Sequence, residues 1–185
     1  AKFHRSLELD GNTLVLCGDA PFMDAETIQH ALTMHEQQGN AVTVITAELD
    51  QPHGYGRILR TETGIAGIVE EKDATEEQRR IQEVNSGAYW FRTADLIALL
   101  DTLEPSNAQG EYYLTDTVGA AIAAGKRAGA YKTKNADVVL GANTRKDLLM
   151  LNEVARQKIL DKHMENGVNF VCTDGILIGR DVEIG

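Results

Sequence analysis

The sequence predicts an α/β protein: a mixed, largely parallel sheet with flanking helices and a β-hairpin insertion over residues 57–91. Three observations predict it. Short apolar runs bounded by turn residues alternate with stretches of helical periodicity. A strand–helix–strand pattern fills roughly 35 residues near the start, the length of a βαβ unit. The 185 residues are 43% hydrophobic and 25% charged, which permits a packed core and excludes global disorder.

Each element follows from local chemistry. Residues 13–17 (TLVLC) form a short apolar run between polar turns and read as a buried, parallel strand. Asp24 is placed to cap a helix whose face carries Ile28, Leu32 and His35, with Gly39-Asn40 as its stop. Residues 41–46 (AVTVIT) are rich in β-branched side chains and read as the next strand. Two β-rich runs, 57–60 and 65–70, flank Glu62-Thr63-Gly64 as a hairpin. The charged stretch 73–80 reads as a short solvated helix, and 84–91, with its aromatics, as a strand. Helices are expected over 95–103, stopped before Pro105, and over 113–124, stopped by Gly125. A short strand is expected over 129–132.

Asn143-Thr144 opens the longest periodic segment, a helix over 144–165. Its stripe is Leu148, Leu151, Val154, Ala155, Ile159 and Met164, and Asn166-Gly167 is its stop. Residues 168–171 and 175–185 read as extended pieces. Ile178-Gly179 and Ile184-Gly185 stand six residues apart, the period of a hexapeptide β-helix. On the residues alone, two ordinary strand positions beside glycine turns explain them better. The chain has no initiator Met, residues 1–8 resemble the end of a helix, and Gly185 interrupts a pattern. It therefore reads as an excised piece.

Composition narrows the function. A net charge of −10, with Lys and Arg scattered among acids, argues against DNA or RNA as partner. A phosphorylated small molecule remains compatible, because a metal ion or clustered backbone N–H groups hold phosphate on an acidic protein. The two cysteines, Cys17 and Cys172, lie far apart, in no metal-ligand spacing, and both read as buried thiols. No apolar stretch approaches the ~20 residues of a bilayer span, and no signal peptide opens the chain. A cytoplasmic location is the expectation.

Asp19 follows an apolar strand directly, where open α/β sheets hold ligands, and a carboxylate there suits a divalent cation. A turn former before Pro21 is the competing reading. Gly54-Tyr55-Gly56 lets backbone approach a ligand closely. Glu70 opens a charged run that otherwise reads as solvated surface. Asn85 is an unusual strand-interior residue able to donate to and accept from sugar hydroxyls. Asn143 suits a ligand role or a helix N-cap. Residues 107–116 (NAQGEYYLTD) are dense in polar and aromatic residues, and the plain reading is a loop and helix cap with Tyr112 and Tyr113 packed down. No G-x-S-x-G, histidine ligand spacing, G-x-G-x-x-G or Walker A loop occurs. The residues alone imply a metal-assisted, sugar- or phosphate-handling domain.

The order LVLCGDAP, GYGRI, GIVEEKDAT, EVNSGAYWF, NAQGEYYLTD and LGANTR resembles bacterial bifunctional N-acetylglucosamine-1-phosphate uridyltransferase / glucosamine-1-phosphate acetyltransferase. The resemblance runs from Thr13 to Gly185. It implies a Rossmann-like nucleotidyltransferase sheet over residues 1–142, a linker helix over 143–167 and the start of a left-handed β-helix acyltransferase domain over 168–185. The implied reaction joins UTP to N-acetylglucosamine 1-phosphate, giving UDP-N-acetylglucosamine and pyrophosphate, in an enzyme that is a homotrimer at full length.

By that resemblance, Asp19 and Asn143 match the two protein ligands of Mg²⁺. Asn143 also contacts the nucleotide sugar, Gly56 matches a backbone contact to the sugar, and Glu70 and Asn85 bind the N-acetylglucosamine moiety. Gly18 belongs to the same site edge. No side chain is assigned as general acid or base, since a phosphate monoester is already an anionic nucleophile. Full members begin with a glycine-rich loop and a Pro-Lys motif that grip the triphosphate. Neither occurs here, so little turnover is expected of this piece alone. The alternatives are a nucleotidyltransferase for another sugar 1-phosphate, or a non-catalytic assembly module.

Overall fold

The computed structural model describes residues 10–62, 64–105 and 110–185. The expectations for residues 1–8, Thr63 and 107–109 lie outside the described residues. Contacts divide the chain into two units, Ala1–Leu140 and Gly141–Gly185.

The first unit holds a six-stranded sheet. In chain order its elements are β1 (Asn12–Val15), α1 (Ala25–Gln38), β2 (Val42–Glu48), β3 (Arg57–Thr61), β4 (Gly64–Val69), β5 (Glu83–Arg92), α2 (Thr93–Leu100), α3 (Asp116–Ala123) and β6 (Ala128–Lys132). β5 organises the sheet. One of its edges pairs with β2 along its length. The other is shared: β1 pairs with residues 89–92, and β3 meets it at Val84. β4 extends the sheet beyond β3 and β6 extends it beyond β2.

Among the described residues only β2 and β6 are parallel neighbours; β5 runs antiparallel to β1, β2 and β3, and β3 to β4. The expectation of a largely parallel sheet is therefore wrong for the described residues. β1 and β2 do point the same way, but β5 returns between them. A β-branched run such as Val42–Ala47, all buried, records burial on both faces. It does not record which strand lies alongside, or in which direction.

The two faces of the sheet follow the strand period of two. Val42, Val44 and Phe91 pack against Leu96 and Leu99 of α2 and Val118 and Ala121 of α3. Ile45 and Ala88 face Ala31 of α1. α1 begins where the Asp24 carboxylate accepts the Thr27 N–H at 2.7 Å and ends at Gly39 in the left-handed conformation. Its buried positions are Thr27, Ala31 and His35, while Ile28 and Leu32 are half-buried. His35 bridges the Thr43 hydroxyl (2.9 Å) and Asn12 (3.2 Å), tying α1 to two strands. The indole of Trp90, the only tryptophan, donates to the Ile28 carbonyl at 3.0 Å.

β5 is irregular at one place. β2 advances from Val44 to Thr46 while β5 advances from Tyr89 to Asn85, so residues 86–88 bulge out of the ladder. Gly87 makes this possible with φ of +75°, a region costly for residues with a Cβ. The Ser86 hydroxyl donates to the Ile45 carbonyl at 2.7 Å and accepts the Ala88 N–H at 3.2 Å, filling the gap in the ladder.

Several local expectations are corrected. Only Gln78–Arg80 of the 73–80 stretch is helical, as a single 3-10 turn. Cys17 and Cys172 are exposed, because each lies where the chain has left the sheet or the helix. Tyr112 is exposed and does not pack down. In the second unit, α4 (Arg145–Glu165) buries Leu151, Leu160 and His163, whereas Leu148 and Met164 at the ends of the expected stripe are exposed. Residues 168–185 form no strand; they carry turns closed by Thr173 O to Ile176 N and Gly179 O to Val182 N.

The bulge gives a stability test. A Cβ on Gly87 would stand 2.7 Å from Cys17 Sγ. Gly87→Ala should cost about 2–4 kcal/mol from backbone strain and overpacking together. Trp90 fluorescence during urea unfolding reads this unit, and a loss under about 0.5 kcal/mol would contradict the bulge geometry.

Candidate functional site

Along the shared edge of β5, β1 stops opposite Tyr89 and β3 begins opposite Val84. Between them lies a fork opposite the bulge, and the sequence-predicted residues of the first unit collect there. The Gly56 carbonyl accepts the Asn85 N–H at 2.9 Å. Gly56 is buried with little room for a side chain: a Cβ would lie 3.1 Å from Ile68 Cγ2 and 3.2 Å from a Glu70 carboxylate oxygen. Backbone, not side chain, therefore faces Glu70 here.

Asn85 is held at both ends of its carboxamide. Oδ1 accepts the Gly87 N–H at 2.9 Å, and Nδ2 donates to the Tyr89 hydroxyl at 2.7 Å. On the far side of the bulge, Cys17 Sγ donates to the Gly87 carbonyl at 3.2 Å. That contact fixes the turn that follows β1, where Gly18 and Asp19 are both exposed. Desolvation and the charge of Asp19 push the Cys17 thiol up.

The Asp19 carboxylate makes no hydrogen bond or ion pair among the described residues. Also among them, no three His, Cys, Asp or Glu side chains gather as a metal site. A cation at Asp19 must therefore complete its shell with water, substrate oxygens or a neutral oxygen such as a carboxamide. That is the habit of Mg²⁺ rather than of zinc, so the donor chemistry fits a hard cation.

Glu70 and Glu71 are neighbours with opposite duties. Glu70 is half-buried, and its carboxyl sits above the ordinary range. Burial is the main cause, Asp116 and Asp73 add to it, and a hydrogen bond from Thr115 opposes it. Thr115 precedes α3 without capping it, which leaves its hydroxyl for Glu70. Glu71 points to the 53–57 loop. It pairs with buried Arg57 at 2.6 Å and accepts the Gly54 N–H at 3.2 Å. Burial acts to raise its carboxyl, but these bonds and the charges of Arg57 and His53 outweigh it and hold it low. The ion pair thereby anchors the loop that presents Gly56.

Asn143 lies in the second unit, exposed, just before α4. The cap of α4 is Thr144, whose hydroxyl accepts the Asp147 N–H at 3.2 Å while Asp147 returns a bond to the Thr144 N–H at 2.9 Å. The capping reading of Asn143 is thus overturned, and its side chain makes no hydrogen bond among the described residues. A separate crevice of about 610 Å³ lies by the start of α1, lined by Asp24, His30, Lys132 and Thr133 among others. Its Asp24 is already spent on capping and on Asn135, and Lys132 on Glu48.

Sequence reasoning missed Thr115, Gly87, Tyr89 and the Arg57–Glu71 pair. Gly87 had a signal, a glycine inside a strand-like run. The others depend on contacts between distant segments.

The raised Glu70 carboxyl yields a pH test. Its folded form binds protons more tightly than the unfolded chain, so keeping Glu70 ionised costs stability above the ordinary value of 4.5. Glu70→Gln should raise the melting temperature at pH 7, and the gain should fade as pH falls toward 4.5. A gain independent of pH, or a loss at pH 7, would refute the assignment.

The family model for nucleotidyl transferases matches residues 1–167. A protein named Bifunctional protein GlmU from Acetivibrio thermocellus is 45% identical over 177 residues, covering 95% of this chain but 38% of that protein. The one from Syntrophotalea carbinolica is 45% identical over 178 residues, covering 96% of this chain and 38% of its own. That from Streptococcus gordonii is 44% identical over 177 residues, or 95% of this chain and 39% of its own. The chain thus spans well under half the length of these relatives. Among solved structures, a Bacillus anthracis protein provisionally named a glucose-1-phosphate thymidylyltransferase, in complex with sucrose, aligns with a TM-score of 0.62 at 20% identity, over 92% of this chain and 60% of that one. That likeness supports the nucleotidyltransferase-like mixed α/β fold, and with the matched family model it leads to one conclusion: this chain belongs to the nucleotidyl transferase family.

Proposed function

We propose that this chain carries the sugar and metal side of a site that transfers UMP from UTP to N-acetylglucosamine 1-phosphate. A phosphate oxygen of the sugar phosphate attacks the α-phosphorus of UTP. The bond from that phosphorus to the β-phosphate oxygen breaks, and pyrophosphate leaves. The observation that carries the reading is the fork beside β5. There Gly56 accepts the Asn85 N–H and lies beside the Glu70 carboxylate, and Gly18-Asp19 is tied in through Cys17. The names of the relatives, all bifunctional proteins, support it.

In this reading Gly56 offers backbone to the sugar ring and Glu70 accepts hydroxyl protons. Asn85 meets the acetamido group, and Gly18 lets the ligand approach the turn. Asp19 and Asn143, both without intramolecular hydrogen bonds from their side chains among the described residues, are the oxygen ligands offered to Mg²⁺. When bound, Mg²⁺ screens the repulsion between the two phosphates and orients them for in-line attack. The chain's own contribution is positioning and charge placement. Such a cation would also answer the carboxylates around Glu70, where Asp116 and Asp73 raise the proton affinity of Glu70 and Asp73 raises that of Asp116.

The second unit fits a connector. The turn hydrogen bonds beginning at Thr173 and Gly179 repeat at six residues and support the reading of 168–185 as the approach to a left-handed β-helix. With it go the acetyl transfer, homotrimeric assembly and cytoplasmic setting proposed for the full-length protein. No helix among the described residues is long and apolar enough to cross a membrane.

Calorimetry tests the reading. The chain should bind UDP-N-acetylglucosamine, and Mg²⁺ should tighten binding about tenfold or more, the scale of one or two charge-assisted contacts. Asp19→Ala and Asn143→Ala should each abolish the Mg²⁺ increment while sparing metal-free binding. Tighter binding of UDP-glucose would favour another sugar nucleotidyltransferase. No heat at millimolar ligand would favour an assembly module.

A further inference from the structure

Asn85 carries two donors and two acceptor lone pairs on its carboxamide. The Gly87 N–H is a backbone donor held by the bulge, so only Oδ1 can face it; a flipped amide would set N–H against N–H. Nδ2 must then face the Tyr89 hydroxyl, at 2.7 Å. One N–H and one lone pair remain, at opposite ends of the group.

Tyr89 makes a fixed reference point. It is 2% exposed, and its ring stacks on Phe91 with centroids 5.8 Å apart. Burial first, with the charges of Glu70 and Cys17 behind it, pushes its phenol far above the ordinary range, so it stays neutral. The bulge is what lets it reach Asn85. Four residues of regular strand span about 13 Å, and insertion of residues 86–88 shortens that run.

We propose that Tyr89 is the positioning residue that fixes the orientation of the Asn85 carboxamide, and that through Asn85 it selects a sugar bearing a secondary amide over one bearing only hydroxyls. An amide brings its acceptor and donor on separate atoms and complements the two free ends of Asn85. A single hydroxyl oxygen satisfies one end and leaves the other unpaired, which a fixed polar site penalises. Without the Tyr89 hydroxyl, Nδ2 has no intramolecular partner among the described residues, and the group can adapt to a hydroxyl.

The inference rests on the proposed function, and one experiment separates the two. Affinities for UDP-N-acetylglucosamine and UDP-glucose are measured by calorimetry on the unmodified chain, Tyr89→Phe, Asn85→Ala and the double variant, with melting curves and circular dichroism alongside. The unmodified chain should prefer the acetamido ligand. Tyr89→Phe should shrink that preference about fivefold, the scale of one hydrogen bond. Asn85→Ala should shrink it at least as far, and adding Tyr89→Phe to Asn85→Ala should change the preference no further.

A purely structural tyrosine would weaken both ligands equally and leave their ratio alone. An unchanged ratio in Tyr89→Phe, or additive effects in the double variant, overturns the inference while the proposed function stands. Preference retained by Asn85→Ala overturns it even if the tyrosine variant does not fold. No binding of either ligand by the unmodified chain overturns the proposed function and the inference together.

Discussion

The bulge in β5 is the constraint from which the candidate site follows. A regular β5 would offer one continuous edge to a single neighbour. With residues 86–88 displaced, the edge is divided: β1 takes the part beyond Tyr89 and β3 the part before Asn85. The ends of both neighbours are then brought to one gap. β1 delivers the Gly18-Asp19 turn and β3 delivers Gly56. The geometry requires a left-handed residue at 87, and only glycine takes that place without strain or a collision with Cys17. A single backbone conformation thus decides where segments far apart in sequence meet.

Electrostatics divides labour within the same gap. Glu71 spends its charge holding Arg57 and the 53–57 loop, and that pairing holds its proton affinity low against burial. For Glu70, one residue earlier, burial and two nearby acids push the carboxyl up. The first arrangement favours the folded chain and the second opposes it. In the proposed reading that cost is met by a ligand, as expected where groups serve binding rather than stability.

Much of this was legible in the sequence. The strand and helix positions came from apolar runs, Asp24, Gly39 and Gly125, all of which act locally. The six site candidates came from placement and resemblance, and five of them fall in the first unit beside the fork. What was not legible was non-local. Strand direction is hidden because the β-branched run Val42–Ala47 is buried whichever neighbour it has. The exposure of Cys17 is hidden because the apolar run ends one turn earlier than its composition implies, at Val15. Thr115 and Tyr89 look like any helix-start threonine and strand tyrosine until the chain folds and gives them Glu70 and Asn85 as partners.

Asn143 shows the reverse case, where a local rule explained the wrong residue. Asparagine leads the ranking of helix caps, yet the neighbouring threonine does the work because Asp147 stands three positions later and completes a reciprocal box. Asp147 accepts the Asn143 N–H as well, at 3.1 Å, so the backbone at 143 is fixed while the carboxamide is left over. Asp19 has the same character: its backbone lies in a turn fixed through Cys17 and Gly87, and its carboxylate has no intramolecular bond among the described residues. On the proposed reading, a rigid backbone carrying an uncommitted oxygen offers a ligand to a cation at little cost, because little freedom remains to be lost on binding.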